Sequence, residues 1–332
     1  MPEPSLAQPV PSPPPRIAFD LPPRTRNADG RLRTVGIEIE FAGLTAEAAA
    51  KALALSLGGG VNQKDPHAFM VKNSALGDLA VELDLRYVHP VRTKASFLNL
   101  GAVLAAWLGS AIRHVVPCEL VTAPLPIDRL DRVDRLLSVL REAGAKGTQD
   151  GALYAFGLHF NPEAPALDIE TILSIVKAFV LLNPWLRRQV APDATRELLG
   201  FADPFPPDYV RRIADPDYWP GWDQFMTDHL AANPTRNRDL DLLPLLAYLD
   251  EAGVRARLPN EKINRRPTFH YRLPDARLSD PGWSIAPDWN RWVAVERVAD
   301  DRDRLDALGR AYLAFAGEAK SWAELSERLA FA

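Results

Sequence analysis

The sequence predicts an α+β domain with a helical elaboration in its second half. In Thr34–Phe41, apolar and acidic residues alternate with period two, which is typical of a strand with one buried face. Between Asp128 and Ala143, leucines and valines recur at spacings of three and four, as in an amphipathic helix. Beyond residue 184, apolar and aromatic residues favour helices. One mixed domain is the simplest fold that accommodates these patterns.

Capping residues and apolar runs predict the remaining elements. Thr45 can cap a helix over 46–57, and the glycines at 58–60 should end it. Asp168 should cap an apolar helix that runs to about residue 182. The other predictions are strands near 68–72, 79–84, 116–121, 153–160 and 263–272, and helices near 93–112 and 300–330.

The first 24 residues have a different composition from the rest of the chain. They hold nine prolines and few large apolar side chains, so they cannot bury enough surface to offset their ordering entropy. We predict a mobile or wrapped arm at 1–24, with a proline-rich partner ligand as the alternative. The folded domain should then cover 25–332, with a helical elaboration at about 184–260 and a helical tail at 300–332.

Charge and composition exclude several classes of protein. The 43 acidic and 39 basic residues are interspersed without a basic stripe, so nucleic acid is not an expected partner. No apolar run of bilayer length and no apolar signal core are apparent. The single cysteine, Cys118, excludes an intramolecular disulfide and a multi-cysteine metal cluster. We therefore expect a cytoplasmic protein without a membrane partner, and the oligomeric state is not predicted.

Glu38 and Glu40 form the first candidate site. They are two residues apart on the predicted first strand, so both carboxylates should project from one face, about 7 Å apart. Paired carboxylates suit a hard cation such as Mg²⁺. A half-exposed strand with its acids on the wet side explains the pattern equally well.

Two other predicted strands carry isolated polar residues. Glu119 is the one acid in an apolar strand, and a buried carboxylate needs a cation or a donor. His159 and Asn161 share a face of the strand that follows, although a histidine on an apolar strand is usually a core residue. These residues are candidates for the same site, and none is specific alone.

A cationic segment precedes the last predicted strand. Lys262, Arg265 and Arg266 could clamp nucleotide phosphates, since arginine forks match phosphate oxygens; a solvated basic turn is the alternative. The sequence has no P-loop, dinucleotide-binding glycine motif, zinc-protease helix or nucleophile elbow. A nucleotide would therefore have to be held through metals and arginines.

The order of these segments resembles the amidoligase family, distant relatives of glutamine synthetase and glutamate–cysteine ligase. The resemblance implies an α+β fold with a glutamine-synthetase-like curved antiparallel β-sheet. Metals would lie on the concave face and helices on the convex face, with a helical C-terminal elaboration. Residues 25–332 would then be an amidoligase-like catalytic domain. The matching segments are 35–41, 119–125, 143–148, 157–161 and 268–272.

The same resemblance implies an activity and residue roles. The activity is the ATP- and Mg²⁺-dependent joining of a small-molecule or peptide carboxylate to an amine or ammonia. Glu38, Glu40 and Glu119 match metal-binding glutamates. His159 matches a histidine near the metals and phosphates, and Arg272 matches the arginine that ends the last catalytic strand.

The chain departs from the family pattern at two positions. Asn73 stands where an aspartate is common, and Glu82 and Asp84 could compensate or face solvent. His270 stands where a glutamate is common, and an imidazole there could bind Mn²⁺ rather than Mg²⁺, contact a phosphate, or pack in the core. Two other functions therefore stay open, a non-catalytic nucleotide- or peptide-binding regulatory scaffold and a phosphotransferase of the guanidino-kinase type.

Overall fold

A seven-stranded sheet organises the part of the chain that the computed structural model describes, residues 17–84, 117–150, 154–192 and 202–331. The strands are β1 Thr34–Phe41, β2 Gly60–Asp65, β3 Ala68–Ser74, β4 Gly77–Leu83, β5 Cys118–Thr122, β6 Leu125–Pro126 and β7 Leu158–Pro162. The α-helices in these ranges are α1 Ala46–Leu57, α2 Asp131–Glu142, α3 Ile169–Val190, α4 Pro207–Ala214, α5 Trp222–Ala232, α6 Leu243–Leu249, α7 Glu251–Arg257, α8 Ala286–Ala299, α9 Arg302–Ala314 and α10 Ala319–Phe331.

β1 is central to this sheet. The strands run in the order β2-β3-β4-β5-β1, and β6 and β7 also pair with β1. β5 pairs with residues 38–41 of β1 and β6 with residues 34 and 35, while β7 pairs with residues 35–39 along the other edge. All of these pairs are antiparallel. The predicted α+β class, with an open antiparallel sheet and helices, is confirmed.

The alternation along β1 separates an apolar face from a polar face. The side chains of Ile37, Ile39 and Phe41 are fully buried in the core. On the same face, Phe160 of β7 contacts Trp289 of α8, with ring centroids 5.9 Å apart. Since α1 contacts β3 and β4 while α3 packs on α8, helices cover the apolar face. Glu38 and Glu40 necessarily project from the opposite face.

Two irregular segments extend the sheet beyond β7. Tyr271 bridges Phe160 on one side and Leu240 on the other, both antiparallel. The prediction of a strand at 263–272 is therefore wrong, because this segment makes isolated bridges instead of a regular strand. Pro267 and Pro274 lack the amide hydrogen that a continuous ladder requires.

Other elements also differ from the sequence-based expectations. β2 was not predicted; its residues are exposed throughout and have no alternating pattern. α8 was also not predicted, and the helix expected from Asp128 begins at Asp131, after a 3₁₀ turn at Ile127–Arg129. The helix predicted near 93–112 lies outside the described residues. Of the proline-rich arm, the described part contacts α8, where the Asp20 amide donates to Asn290 Oδ1 at 2.8 Å.

α3 corrects the expectation that no apolar run could cross a bilayer. It is 22 residues long and contains an 18-residue window with a mean hydropathy of 1.5, so it meets that requirement by length and composition. However, 72% of its apolar window is buried inside the fold, where α3 packs against α8 and α10. Asp168 caps the helix as predicted, and its carboxylate accepts from the Thr171 amide at 2.8 Å. α3 is thus a core helix, which explains its apolar composition.

A buried ion pair ties the start of β1 to α8. The Arg33 guanidinium donates to Glu296 Oε2 at 2.7 Å and to Oε1 at 2.8 Å, and both side chains are almost fully buried. The same guanidinium donates to the carbonyls of Arg24 and Glu163. Trp292 Nε1 donates to Glu296 Oε1 at 2.6 Å. With these partners, both charges are satisfied away from water.

Removing one member of this pair should strongly destabilise the protein. Glu296→Leu leaves a buried guanidinium without its anion, so we expect the free energy of unfolding to fall by about 3–5 kcal/mol in urea denaturation. Arg33→Met combined with Glu296→Leu should recover most of that loss. Lys51→Met, which breaks an exposed pair with Glu47, is the control and should cost less than about 1 kcal/mol. Equal losses in Glu296→Leu and the control would contradict the role of the buried pair.

The start of α8 should make stability depend on pH. Burial raises the pKa of Asp288 to about 6 from its ordinary value of 3.8, although Arg291 partly offsets the effect. Between about pH 4 and 6 the folded state therefore binds more protons than the unfolded state, so stability decreases as pH rises. We expect Asp288→Asn to gain on the order of 2 kcal/mol over the wild type by pH 7 and nothing below pH 4.

Urea denaturation of both proteins at several pH values measures this difference. Asp303→Asn is the matched control, because Asp303 also lies in the first turn of a helix but is exposed. A gain for Asp288→Asn that does not vary with pH would refute the titration of Asp288.

Candidate functional site

Three adjacent strands bring a row of carboxylates together on the polar face. The sheet register places Glu40 opposite Glu119 and Glu119 opposite Glu82. Glu40 is buried, Glu119 is half-buried and Glu82 is exposed. Glu40 Oε2 also accepts from the Gly157 amide at 2.8 Å. The row therefore runs from the interior of the protein towards solvent.

His159 lies at the inner end of this row. β7 places it opposite Glu38 in the register. Glu40, Glu119 and His159 can present ligand atoms within 4.8 Å of one another. Burial lowers the pKa of His159 well below its ordinary value, although Glu38 acts in the opposite direction. A neutral imidazole keeps a lone pair for a metal ion, so these three residues could hold a divalent cation.

The Glu38 carboxylate is surrounded by donors and imidazoles. Asn161 Nδ2 donates to Oε1 at 2.9 Å, and Arg266 Nη2 lies 3.2 Å from the same oxygen. His159 Nδ1 lies 3.1 Å and His270 Nε2 3.4 Å from Oε2. Burial alone would raise the pKa of Glu38, but the electrostatic interaction with His270 and the hydrogen bond with His159 outweigh it and hold the pKa well below its ordinary range. Glu38 therefore stays ionised inside the protein.

Asp241 joins the site through His270, and sequence reasoning missed it. Its Oδ2 lies 3.3 Å from His270 Nδ1 and 3.1 Å from Arg236 Nε. Burial would raise the pKa of Asp241, but the His270 hydrogen bond and the charge of Arg236 lower it to about 2. The available signal was the pair Asp239 and Asp241 flanking Leu240 in an otherwise helical region.

The cations predicted to clamp phosphates separate into two groups. Arg266 reaches Glu38, and the buried Arg272 donates to the carbonyl of Arg236. Arg265 instead pairs with Glu251 of α7 at 3.0 Å, and its side chain is largely exposed. Lys262 is exposed. The structure thus brings Arg266 and Arg272 to the acidic cluster and leaves Lys262 and Arg265 on the surface.

Asn73, the first departure from the family pattern, lies in different surroundings from Glu82 and Asp84, the two acids that could compensate for it. Asn73 has a φ of 58° and is exposed near the end of β3, where its amide donates to Asp78. Asp84 is buried just after β4, whereas Glu82 belongs to the carboxylate row. Asn73 therefore lies at the opposite end of β4 from Glu82.

The fold and the site together define a class of protein. It is a mixed α/β protein whose open antiparallel sheet carries helices on one face. The other face carries buried carboxylates and imidazoles that could hold a divalent cation.

A family model described as "Putative amidoligase enzyme" matches residues 31–294. Because the match covers most of the chain, the protein belongs to the amidoligase family, as the sequence motifs indicated. The family name denotes ligases that form amide bonds. No curated protein matches the chain.

Removing the charge of Glu38 should destabilise the metal-free protein. Glu38→Gln keeps the side-chain shape but deprives Arg266 and the imidazoles of their anion, so we expect the free energy of unfolding to fall by about 3 kcal/mol. Glu142→Gln, at an exposed position, should change it by less than about 0.5 kcal/mol. Urea denaturation in EDTA measures both variants. An unchanged stability in Glu38→Gln would show that these contacts do not stabilise the fold.

Proposed function

We propose that the protein is an ATP- and divalent-cation-dependent ligase that joins a carboxylate to an amine or ammonia through an acyl phosphate. The observation that carries the proposal is the cluster of Glu40, Glu119 and His159 beside Arg266 and Arg272. Acidic groups suited to a cation and guanidinium groups suited to phosphate oxygens lie in one partly enclosed site. Membership in the amidoligase family supports the type of reaction.

The donor set is compatible with Mg²⁺ or Mn²⁺. Carboxylate oxygens suit both ions, and an imidazole nitrogen favours Mn²⁺. Glu40, Glu119 and His159 would hold the ion. When bound, such an ion neutralises charge on phosphate oxygens. Asn161 and Arg266 contact Glu38 Oε1 and so hold that carboxylate beside His159.

The arginines would act in both steps of the proposed reaction. In the first step, a substrate carboxylate oxygen bonds to the γ-phosphorus of ATP, and the bond from that phosphorus to the bridging oxygen of ADP breaks. In the second step, the amine nitrogen bonds to the acyl carbon, and phosphate and a proton leave. Arg272 and Arg266 would stabilise the phosphoryl charge in both steps. The need for ATP is compatible with a cytoplasmic location.

A second candidate function is a regulatory scaffold that binds a nucleotide or peptide without turnover. The observation that favours it is the internal neutralisation of the site, because Arg266 pairs with Glu38 and His270 lies between Glu38 and Asp241. A scaffold of this kind would bind its ligand and release no ADP.

ADP release by the full chain tests the proposal. Mg²⁺-ATP or Mn²⁺-ATP is supplied with pooled carboxylates and amines, and mass spectrometry identifies the condensed product. We expect release to require both co-substrates and to stop in EDTA. Glu40→Gln and Glu119→Gln should lower kcat at least about 100-fold while the melting temperature changes little.

Glu142→Gln serves as the control, because this exposed residue lies at the end of α2. Nucleotide binding without ADP release would favour the scaffold. A phosphorylated product without condensation would indicate a phosphotransferase. Either result would refute the ligase.

A further inference from the structure

We propose that Asp241 is a positioning residue that holds His270 Nε2 towards Glu38 and His159. In this arrangement, Glu38, His159 and His270 select an imidazole-binding metal such as Co²⁺, Zn²⁺ or Mn²⁺ over Mg²⁺. This inference rests on the proposed function only in assuming that the polar face binds a divalent cation. It assigns to Asp241 a role that acts through His270 rather than through contact with a substrate.

The first support is the rigidity with which Asp241 is held. Its amide donates to the His270 carbonyl at 2.9 Å, so the backbone itself places the two residues side by side. Its Oδ1 accepts from the Leu243 amide at 3.0 Å, and its Oδ2 lies 3.1 Å from Arg236 Nε. Asp241 and His270 are each only 1% exposed. The carboxylate has little freedom to turn away from the imidazole.

The second support is the other nitrogen of the same ring. His270 Nε2 is buried, and within the described part of the chain it has no hydrogen-bond partner. It lies 3.4 Å from Glu38 Oε2, and that oxygen lies 3.1 Å from His159 Nδ1. Around one first-row metal ion, bonds of about 2.0–2.2 Å at right or tetrahedral angles separate ligand atoms by about 3.0–3.5 Å. These two spacings fit ligands that share one ion, and Glu38, His159 and His270 can present ligand atoms within 4.8 Å of one another.

The two carboxylate oxygens of Glu38 have different partners, which leaves Oε2 for the ion. Oε1 accepts from Asn161 and faces Arg266, whereas Oε2 faces only the two imidazoles among the contacts described above. An ion bound there would displace the proton that Glu38 and His159 share in its absence. Two imidazoles and one carboxylate prefer borderline metals to Mg²⁺.

Asp241 completes this arrangement as an outer carboxylate. A carboxylate accepts hydrogen bonds, so when His270 binds a metal ion its remaining ring proton lies on Nδ1, towards Asp241, and the lone pair lies on Nε2. A ligating histidine held in this way has a fixed tautomer and ring orientation and is a stronger donor to the metal. Without Asp241 the ring could rotate or change its tautomer.

Co²⁺ titration of the EDTA-treated full chain tests this role, followed by visible absorption and calorimetry, with Mg²⁺ in parallel. We expect Asp241→Asn to weaken Co²⁺ binding about 10–100-fold and to change the visible spectrum, with Mg²⁺ binding unaffected. His270→Ala should weaken Co²⁺ binding at least as much. The double variant should bind Co²⁺ no more weakly than His270→Ala alone, because Asp241 acts only through that ring.

Asp239→Asn is the matched control. Asp239 is also fully buried, lies two residues away and pairs with Arg187 at 2.8 Å, so its replacement should lower stability and leave the Co²⁺ affinity unchanged. Arg236→Gln removes the ion pair of Asp241 and keeps its contact with His270, so it should also retain most Co²⁺ affinity. Asp241→Glu, which preserves the buried charge, replaces the asparagine variant if that variant does not fold, and it should also weaken Co²⁺ binding.

Three results would overturn the role of Asp241: an unchanged Co²⁺ affinity in Asp241→Asn, equal losses in Asp241→Asn and Asp239→Asn, or additive losses in the double variant. Failure of the ligase proposal is distinguishable, because Co²⁺ binding needs neither ATP nor a substrate. Co²⁺ binding that depends on Asp241, without ADP release, would refute only the ligase proposal. ADP release with Asp241-independent binding would refute only the role of Asp241.

Discussion

The buried charge of Glu38 is the constraint on which the arrangement of the polar face depends. Ile37 and Ile39 must face the helices, so the alternation of β1 forces Glu38 to the opposite side, where it is 7% exposed. A carboxylate this deep needs donors or opposite charge. His159, Arg266 and His270 supply them from β7 and from the irregular segment beside it. The charge of Glu38 thus favours a fold in which these later segments contact the first strand.

Local patterns predicted the parts of the site that lie on regular strands. The alternation in Thr34–Phe41 needs only neighbouring residues and places Glu38 and Glu40 on one face. The strand register then places Glu119 opposite Glu40 and His159 opposite Glu38. Asp241 could not be predicted in this way, because it belongs to an irregular segment whose position depends on a bridge to Tyr271. Likewise, Arg265 and Arg266 are adjacent in sequence, and only tertiary packing separates the surface residue from the site residue. The Arg33–Glu296 pair joins residues far apart in the chain, so no local pattern reveals it.

The site separates into two functional layers. Glu40, Glu119 and Glu82 form a row that reaches solvent, whereas Glu38, His270 and Asp241 form an enclosed chain of alternating charge and imidazole. In the proposals above, the open row would meet ligands, and Asp241 would orient His270 within the enclosed chain. Amidoligase membership indicates amide-bond formation as the kind of chemistry.

The strand at one edge of the described sheet has a consequence for association between molecules. β2 is exposed throughout, and an unpaired strand edge is a template for pairing with another chain. Here the edge is short, carries Lys64 and Asp65, and has a register shift against β3 between Gln63 and Asp65. Each of these features hinders the regular hydrogen-bond ladder that a second molecule would need. On this side, the described sheet is thereby protected against edge-to-edge aggregation.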